Sequence, residues 1–161
     1  MSRRRWRPWP SESGQDLVEF ALLLPLLLLL LFGIIEFGIA VFAYNTTANV
    51  GREIARYGSI HPNNTEIRNF IGTTGFSGDP PFFSGTPSQL NPEVQRWTRG
   101  LSGNLTITPT LTNNGPLSST IQVSVTYEYR FLTGPIVQIV AGRQTMDLRT
   151  VTTMFTERAV D

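Results

Sequence analysis

SGQDLVEFALLLPLLLLLLFG, residues 13 to 33, decides how this chain is read, because it combines a membrane-like apolar run with a carboxylate at Glu19 and a proline at Pro25. From Leu17 to Ala43 the only charged residues are Glu19 and Glu36. The charge-free core Phe20 to Ile35 rises roughly 24 Å as a helix, whereas a hydrocarbon core is about 30 Å thick and takes about 20 residues. A span therefore has to take in Phe37 to Phe42 on one side or draw Glu19 inward on the other. Either choice brings a carboxylate near lipid, at a cost of about 2.5–3.5 kcal/mol at the centre and less toward the interface. Arg3, Arg4, Arg5 and Arg7 precede the span and no comparable cluster follows it closely. This asymmetry orients the N-terminus toward the cytoplasm and puts the C-terminal two thirds outside.

A cleavable secretory signal shares the arginine-rich start, and Val41-Phe42-Ala43 would pass as its cleavage site. The apolar stretch exceeds the usual 7 to 15 residues of such signals, however, and Glu36 sits just before the cut. Ser2-Arg3-Arg4 is a faint twin-arginine pattern with no cofactor motif behind it. Pro25 lacks an amide hydrogen and interrupts the helix bond to Ala21, which predicts a kink or local loosening that membrane helices tolerate. Glu36 lies far beyond Glu19, about 100° around and roughly 25 Å along the axis, so the two form no common site within one helix. Gly33 and Gly38 are five apart, not the four of the small-residue packing motif.

The remaining composition narrows the function classes. Formal net charge is +1, and all 13 basic residues are arginine, scattered outside the first seven residues. No basic stripe with interleaved aromatics is present, so nucleic acid is not implied as a partner. The absence of cysteine removes disulfides and thiolate metal sites. His61 is the only histidine and precedes Pro62. It is read as a helix-end residue facing the carbonyl end of the dipole, not as a catalytic base. No phosphate loop, zinc motif or nucleophile elbow occurs, so no cofactor and no catalytic residue is assigned. Three Asn-x-Thr triplets, at Asn45, Asn63 and Asn104, are assigned no modification.

Beyond the span, Ala40, Ala43, Thr47, Val50, Ile54 and Tyr57 follow helical spacing, with Arg52, Glu53 and Arg56 on other sides. A helix from Gln15 to Tyr57 would extend about 64 Å, with Gly58 and Pro62 as its stop signals. A short helix is expected around Glu66 to Ile71, then an irregular connection from Gly72 to Pro92 with Phe82 and Phe83 as an apolar plug. Asn91-Pro92 opens two helical turns, Pro92 to Arg99, anchored by Trp97. Leu105 and Ile107 mark a strand ending near Pro109, and Asn113-Asn114-Gly115-Pro116 a turn. Ile121, Val123, Val125, Tyr127, Tyr129 and Phe131 alternate with polar residues to give the strongest strand, with the tyrosines in the core. A short apolar piece, Ile136 to Ala141, precedes a last strand from Met146 to Glu157. The expected fold class is α+β, a long helix backing a roughly three-stranded antiparallel sheet.

Gly14 followed by Gln15-Asp16-Leu17-Val18-Glu19-Phe20 resembles the processing site of type IV prepilins, where cleavage follows a glycine and a glutamate stands fifth in the mature chain. The longer stretch GQDLVEFALLLPLLLLLLFGIIEFG resembles the opening of the TadE-like family, pilin-like proteins of the tight adherence (Tad, or Flp) pilus, with weaker similarity in NVGREIARYG and TTMFTE. The resemblance implies a pilin-like fold and a prepilin peptidase that cuts between Gly14 and Gln15. It further implies a minor pilin or assembly role, with other Tad subunits and membrane lipid as partners. The implied location is a bacterial or archaeal inner membrane, single-pass and pilus-associated. Residues 1–14 would be the leader, 15–58 the transmembrane helix and its amphipathic extension, and 59–161 the extracytoplasmic domain. Glu19 is the residue implied to meet the new N-terminal amine of a neighbouring subunit and set register. Here the mature chain would begin Gln15-Asp16, where many pilins carry an apolar aromatic residue. The competing readings are a single-pass anchored binding module that keeps its leader, and an exported enzyme cut after Ala43.

Overall fold

The computed structural model describes residues 12–72, 76–77, 82–113 and 119–157. The arginine cluster, and Asn114 to Pro116 of the expected turn, lie outside them. The chain divides into two units, residues 1–37 and 38–161. The described part of the first unit is purely helical. It forms the beginning of α1 (Glu12–Ile60), contains Pro25, and exposes its leucines and phenylalanines.

The second unit holds the rest of α1, followed by α2 (Asn64–Ile71), β1 (Phe76–Ser77), β2 (Phe82–Gly85), α3 (Pro92–Trp97), β3 (Leu105–Thr112), β4 (Thr120–Arg130), α4 (Gly134–Ala141) and β5 (Thr145–Phe155). The strands form one sheet in chain order, β1-β2-β3-β4-β5, each antiparallel to the next. The expected α+β class holds, with five strands where the sequence indicates about three. The two additional strands come from the glycine- and serine-rich connection expected to be irregular. Phe83 anchors them: it is fully buried, pairs with Ile107 and meets Phe76 edge-on at 6.0 Å between centroids.

Strict alternation explains β4. Ile121, Val123, Val125, Tyr127 and Tyr129 are all buried, because successive side chains point to opposite faces of a sheet. The Tyr127 hydroxyl accepts from the backbone amides of Ser102 and Gly103, both at 3.3 Å, so the buried phenol oxygen is hydrogen-bonded. β3 runs on through Pro109 to Thr112 instead of ending near the proline. β2 partners only Leu105 to Ile107, so at Pro109 the strand has a described neighbour on one side alone, where a missing N–H is tolerated.

Residues 43–60 of α1 lie on this sheet through two glycines. A Cβ on Gly51 would stand 3.4 Å from both Val125 and Thr152 side chains, and one on Gly58 would stand 2.1 Å from Ile121 Cδ1. Ala43, Thr47, Val50 and Ile54 fill the same helix face and are buried. Gly58 is thus a point of close approach inside the helix, not its stop. The helix continues to Ile60, and His61 follows. There the His61 imidazole stacks on Tyr57 at 4.5 Å between centroids, and its Nδ1 lies 3.3 Å from the Tyr57 carbonyl oxygen. Beyond it Asn63 caps α2, its side-chain oxygen accepting from the amides of Thr65 (2.8 Å) and Glu66 (3.3 Å), which satisfies two donors that a helix start leaves open.

Candidate functional site

The residues singled out from sequence all lie on the N-terminal part of α1. Gly14, Gln15, Asp16 and Glu19 are exposed. The helix already begins at Glu12, so the bond between Gly14 and Gln15 falls within its first turn. Glu19 stands one helical turn after Gln15 on the same side, the geometry of an i, i+4 pair. Pro25 lies inside the helix, and its missing amide leaves the Ala21 carbonyl without the usual helical donor. Nothing within 4 Å would meet a Cβ at Gly14, Gly33 or Gly38, so these positions present bare backbone to a neighbour.

From Leu17 to Phe37 the large apolar side chains are exposed, with Leu22 at 75 % and Phe37 at 72 %. Among the described residues, this is the one helix long and apolar enough to cross a membrane, with a mean hydropathy of 2.7 in its most apolar window. Apart from the exposed Glu19 this surface is apolar, and contiguous apolar patches of this size mark membrane or protein–protein interaction sites. Glu36 is the exception: at 9 % exposure it is buried while Ile35 and Phe37 beside it are not. Sequence spacing gave no sign of this.

Described residues of the second unit line two concave sites. The larger, about 500 Å³, is lined by Ile39, Phe42, Asn104, Tyr129, Arg130 and Thr145 among others. The smaller, about 230 Å³, has Glu53, Arg56, Tyr57, Phe70, Glu93 and Trp97 in its wall. Here Tyr57 and Phe70 lie face to face at 3.8 Å, with Trp97 tilted against Phe70 at 5.9 Å. Arg56 and Glu53 pair at 3.0 Å across one helical turn. Burial, and then the nearby Glu66 and Glu93 carboxylates, push the Tyr57 phenol above its ordinary value. Among the described residues no group of three or more His, Cys, Asp or Glu could hold a metal ion.

The part of α1 that runs from Gly14 through the apolar stretch into its amphipathic continuation is the segment that comparison singles out. Residues 14–56 match the family of TadE-like proteins. No curated protein and no solved structure matches the chain. The TadE-like segment begins at the glycine of the expected cut and ends within α1, so β1 to β5 lie beyond it. A TadE-like segment on a long exposed apolar helix fits a membrane-anchored, pilin-like protein associated with a Tad pilus.

Proposed function

We infer that this chain is a minor pilin or assembly component of a Tad-type pilus. It is made with a cytoplasmic leader, cut by a prepilin peptidase between Gly14 and Gln15, and held in the membrane by the apolar part of α1. The observation that carries this reading is the TadE-like match, because it starts at the glycine and runs on through the exposed apolar helix.

The role is structural. Cleavage leaves an ammonium group on Gln15 one turn from the Glu19 carboxylate. In a low dielectric an uncompensated carboxylate is unfavourable, whereas one met by the ammonium of an adjacent subunit is satisfied and fixes the axial offset between helices. Asp16 and Glu19 also stand in the first turns of the processed helix, where its dipole favours anions. Because the scissile bond lies inside the first turn of α1, that turn opens for the peptidase, as helix ends do at small cost. The C-terminal sheet then stands outside the membrane and offers the outer edge of β5 to other subunits.

The test is the N-terminal residue and intact mass of the protein recovered from membranes of cells that contain the peptidase. A start at Gln15 supports the reading. A start at Met1 favours an unprocessed anchored binding module, and a start at Tyr44 indicates ordinary secretion. Gly14→Ala should block maturation while Ser13→Ala leaves it intact; equal processing of the two would remove the assigned site.

A further inference from the structure

We propose that α4 and the turn before it form a second membrane contact, lying in the headgroup layer of an anionic bilayer. The proposal rests on α1 being a membrane anchor, and not on cleavage after Gly14.

Three exposed apolar side chains set the face. Leu132, Ile136 and Ile139 are 67 %, 53 % and 86 % exposed, and their spacing of four and three places them along one side of the α4 helix and its lead-in. Their position in the second unit gives the face its partner. Tyr129, Arg130 and Thr145, at the strand ends that carry the α4 loop, line the same cavity as Ile39 and Phe42, and residue 38 is where the chain arrives from the apolar segment. The opposite end of the sheet is marked by Glu157, whose amide donates to the Ser59 carbonyl at 2.9 Å, and by Ile121 against Gly58. The apolar loop therefore sits at the end of the second unit that also holds Ile39 and Phe42, early in that unit's sequence.

Charge selects lipid over a second copy. Between Glu128 and Asp147 the chain has no acid but carries Arg130 and Arg143, both exposed. Glu128 and Asp147 face each other across β4 and β5, two pairs back from Arg130 and Thr145. Two copies meeting symmetrically through this face would set like charges together, whereas anionic headgroups complement them. Several backbone amides of the loop are bonded within it, which lowers the cost of immersion. Phe131 N donates to Gln144 O (3.1 Å), Gly134 N to Phe131 O (3.1 Å), Val137 N to Thr133 O (3.1 Å) and Gly142 N to Gln138 O (2.9 Å). Gly142 closes the helix in the left-handed region, φ 72°, a conformation that suits glycine.

The chain has no cysteine, so single-cysteine variants of the full-length protein can be labelled cleanly. Ile139→Cys, Leu27→Cys and Thr112→Cys, each carrying an environment-sensitive fluorophore, are reconstituted into vesicles of phosphatidylcholine and phosphatidylglycerol. They are then exposed to a nitroxide lipid or to aqueous acrylamide. Labels at Leu27 and Ile139 should be quenched by the nitroxide lipid and shielded severalfold from acrylamide, with Thr112 the reverse. Shielding at Leu27 with an Ile139 label as open to acrylamide as Thr112 overturns the α4 contact and leaves the anchor standing. All three labels open to acrylamide overturns the anchor itself. Shielding of Ile139 that vanishes as protein is diluted into lipid assigns the face to a second copy and overturns the proposal. Arg143→Glu in the Ile139→Cys background should weaken nitroxide quenching severalfold, and unchanged quenching overturns the electrostatic part.

Discussion

The Cδ1 methyl of Ile121 occupies the space in which a side chain on Gly58 would begin, 2.1 Å from where its Cβ would stand. Replacing Gly58 by alanine gains about 1 kcal/mol of helix propensity. It also overfills a fully buried contact that includes Ile67 at 3.1 Å, and overpacking costs about 1–3 kcal/mol. Gly58→Ala should therefore lower the melting temperature of the full chain in detergent. Adding Ile121→Val, which deletes the clashing methyl, should recover part of the loss. Additive losses in the double variant would show that the two residues are not coupled.

Phe83 tests whether the first two strands belong to the structural sheet. It is fully buried against Ile107 and Phe76, while the adjacent Phe82 is only half-buried. Phe83→Ala should cost about 3–5 kcal/mol and Phe82→Ala markedly less, read from chemical denaturation in detergent. Equal costs would mean that β2 is held by composition-independent contacts and not by this side chain.

Tyr57 gives the domain an alkaline limit. Its phenol is raised above 10.0 by burial and by the Glu66 and Glu93 carboxylates. With the folded value above the unfolded one, its stabilising contribution is complete below about pH 10 and is lost as pH rises through the folded value. Tyr57→Phe should retain stability at neutral pH and flatten the decline above about pH 10. A decline as steep as that of the unsubstituted chain would assign it to other groups.

A substitution at Glu19 tests the proposed assembly role apart from the proposed processing. Glu19→Ala should leave the Gly14–Gln15 cut largely intact and reduce the recovery of the protein with other pilus subunits after mild membrane extraction. Normal co-recovery would remove the register role of the carboxylate.

The parts of this fold that follow a local period were legible in the sequence. The buried face Ala43, Thr47, Val50 and Ile54 and the buried set from Ile121 to Tyr129 are where periods of 3.6 and 2 put them. Features that depend on a distant partner were not legible. Four residues, Phe82 to Gly85, become a strand because β3 lies beside them, and pairing of that kind outweighs the local turn composition. Gly58 has one identity and two possible uses, stop or close approach, and only Ile121 decides between them. Ile136 to Ala141 was legible as a short apolar piece but not as a helix, which Pro135 in its first turn opens. Of the candidate site, the apolar segment and its TadE-like character were visible in the order of residues, while the burial of Glu36 was not. A carboxylate amid apolar neighbours carries no local signal of what surrounds it.

β5 closes the sheet along the whole of β4, from Thr120 opposite Phe155 to Arg130 opposite Thr145. Removing the segment from Thr145 onward would strip β4 of this neighbour along its entire length and bare its row of backbone donors and acceptors. The strand that carries most of the buried side chains of the sheet is thus finished only by a segment that lies after it in the chain.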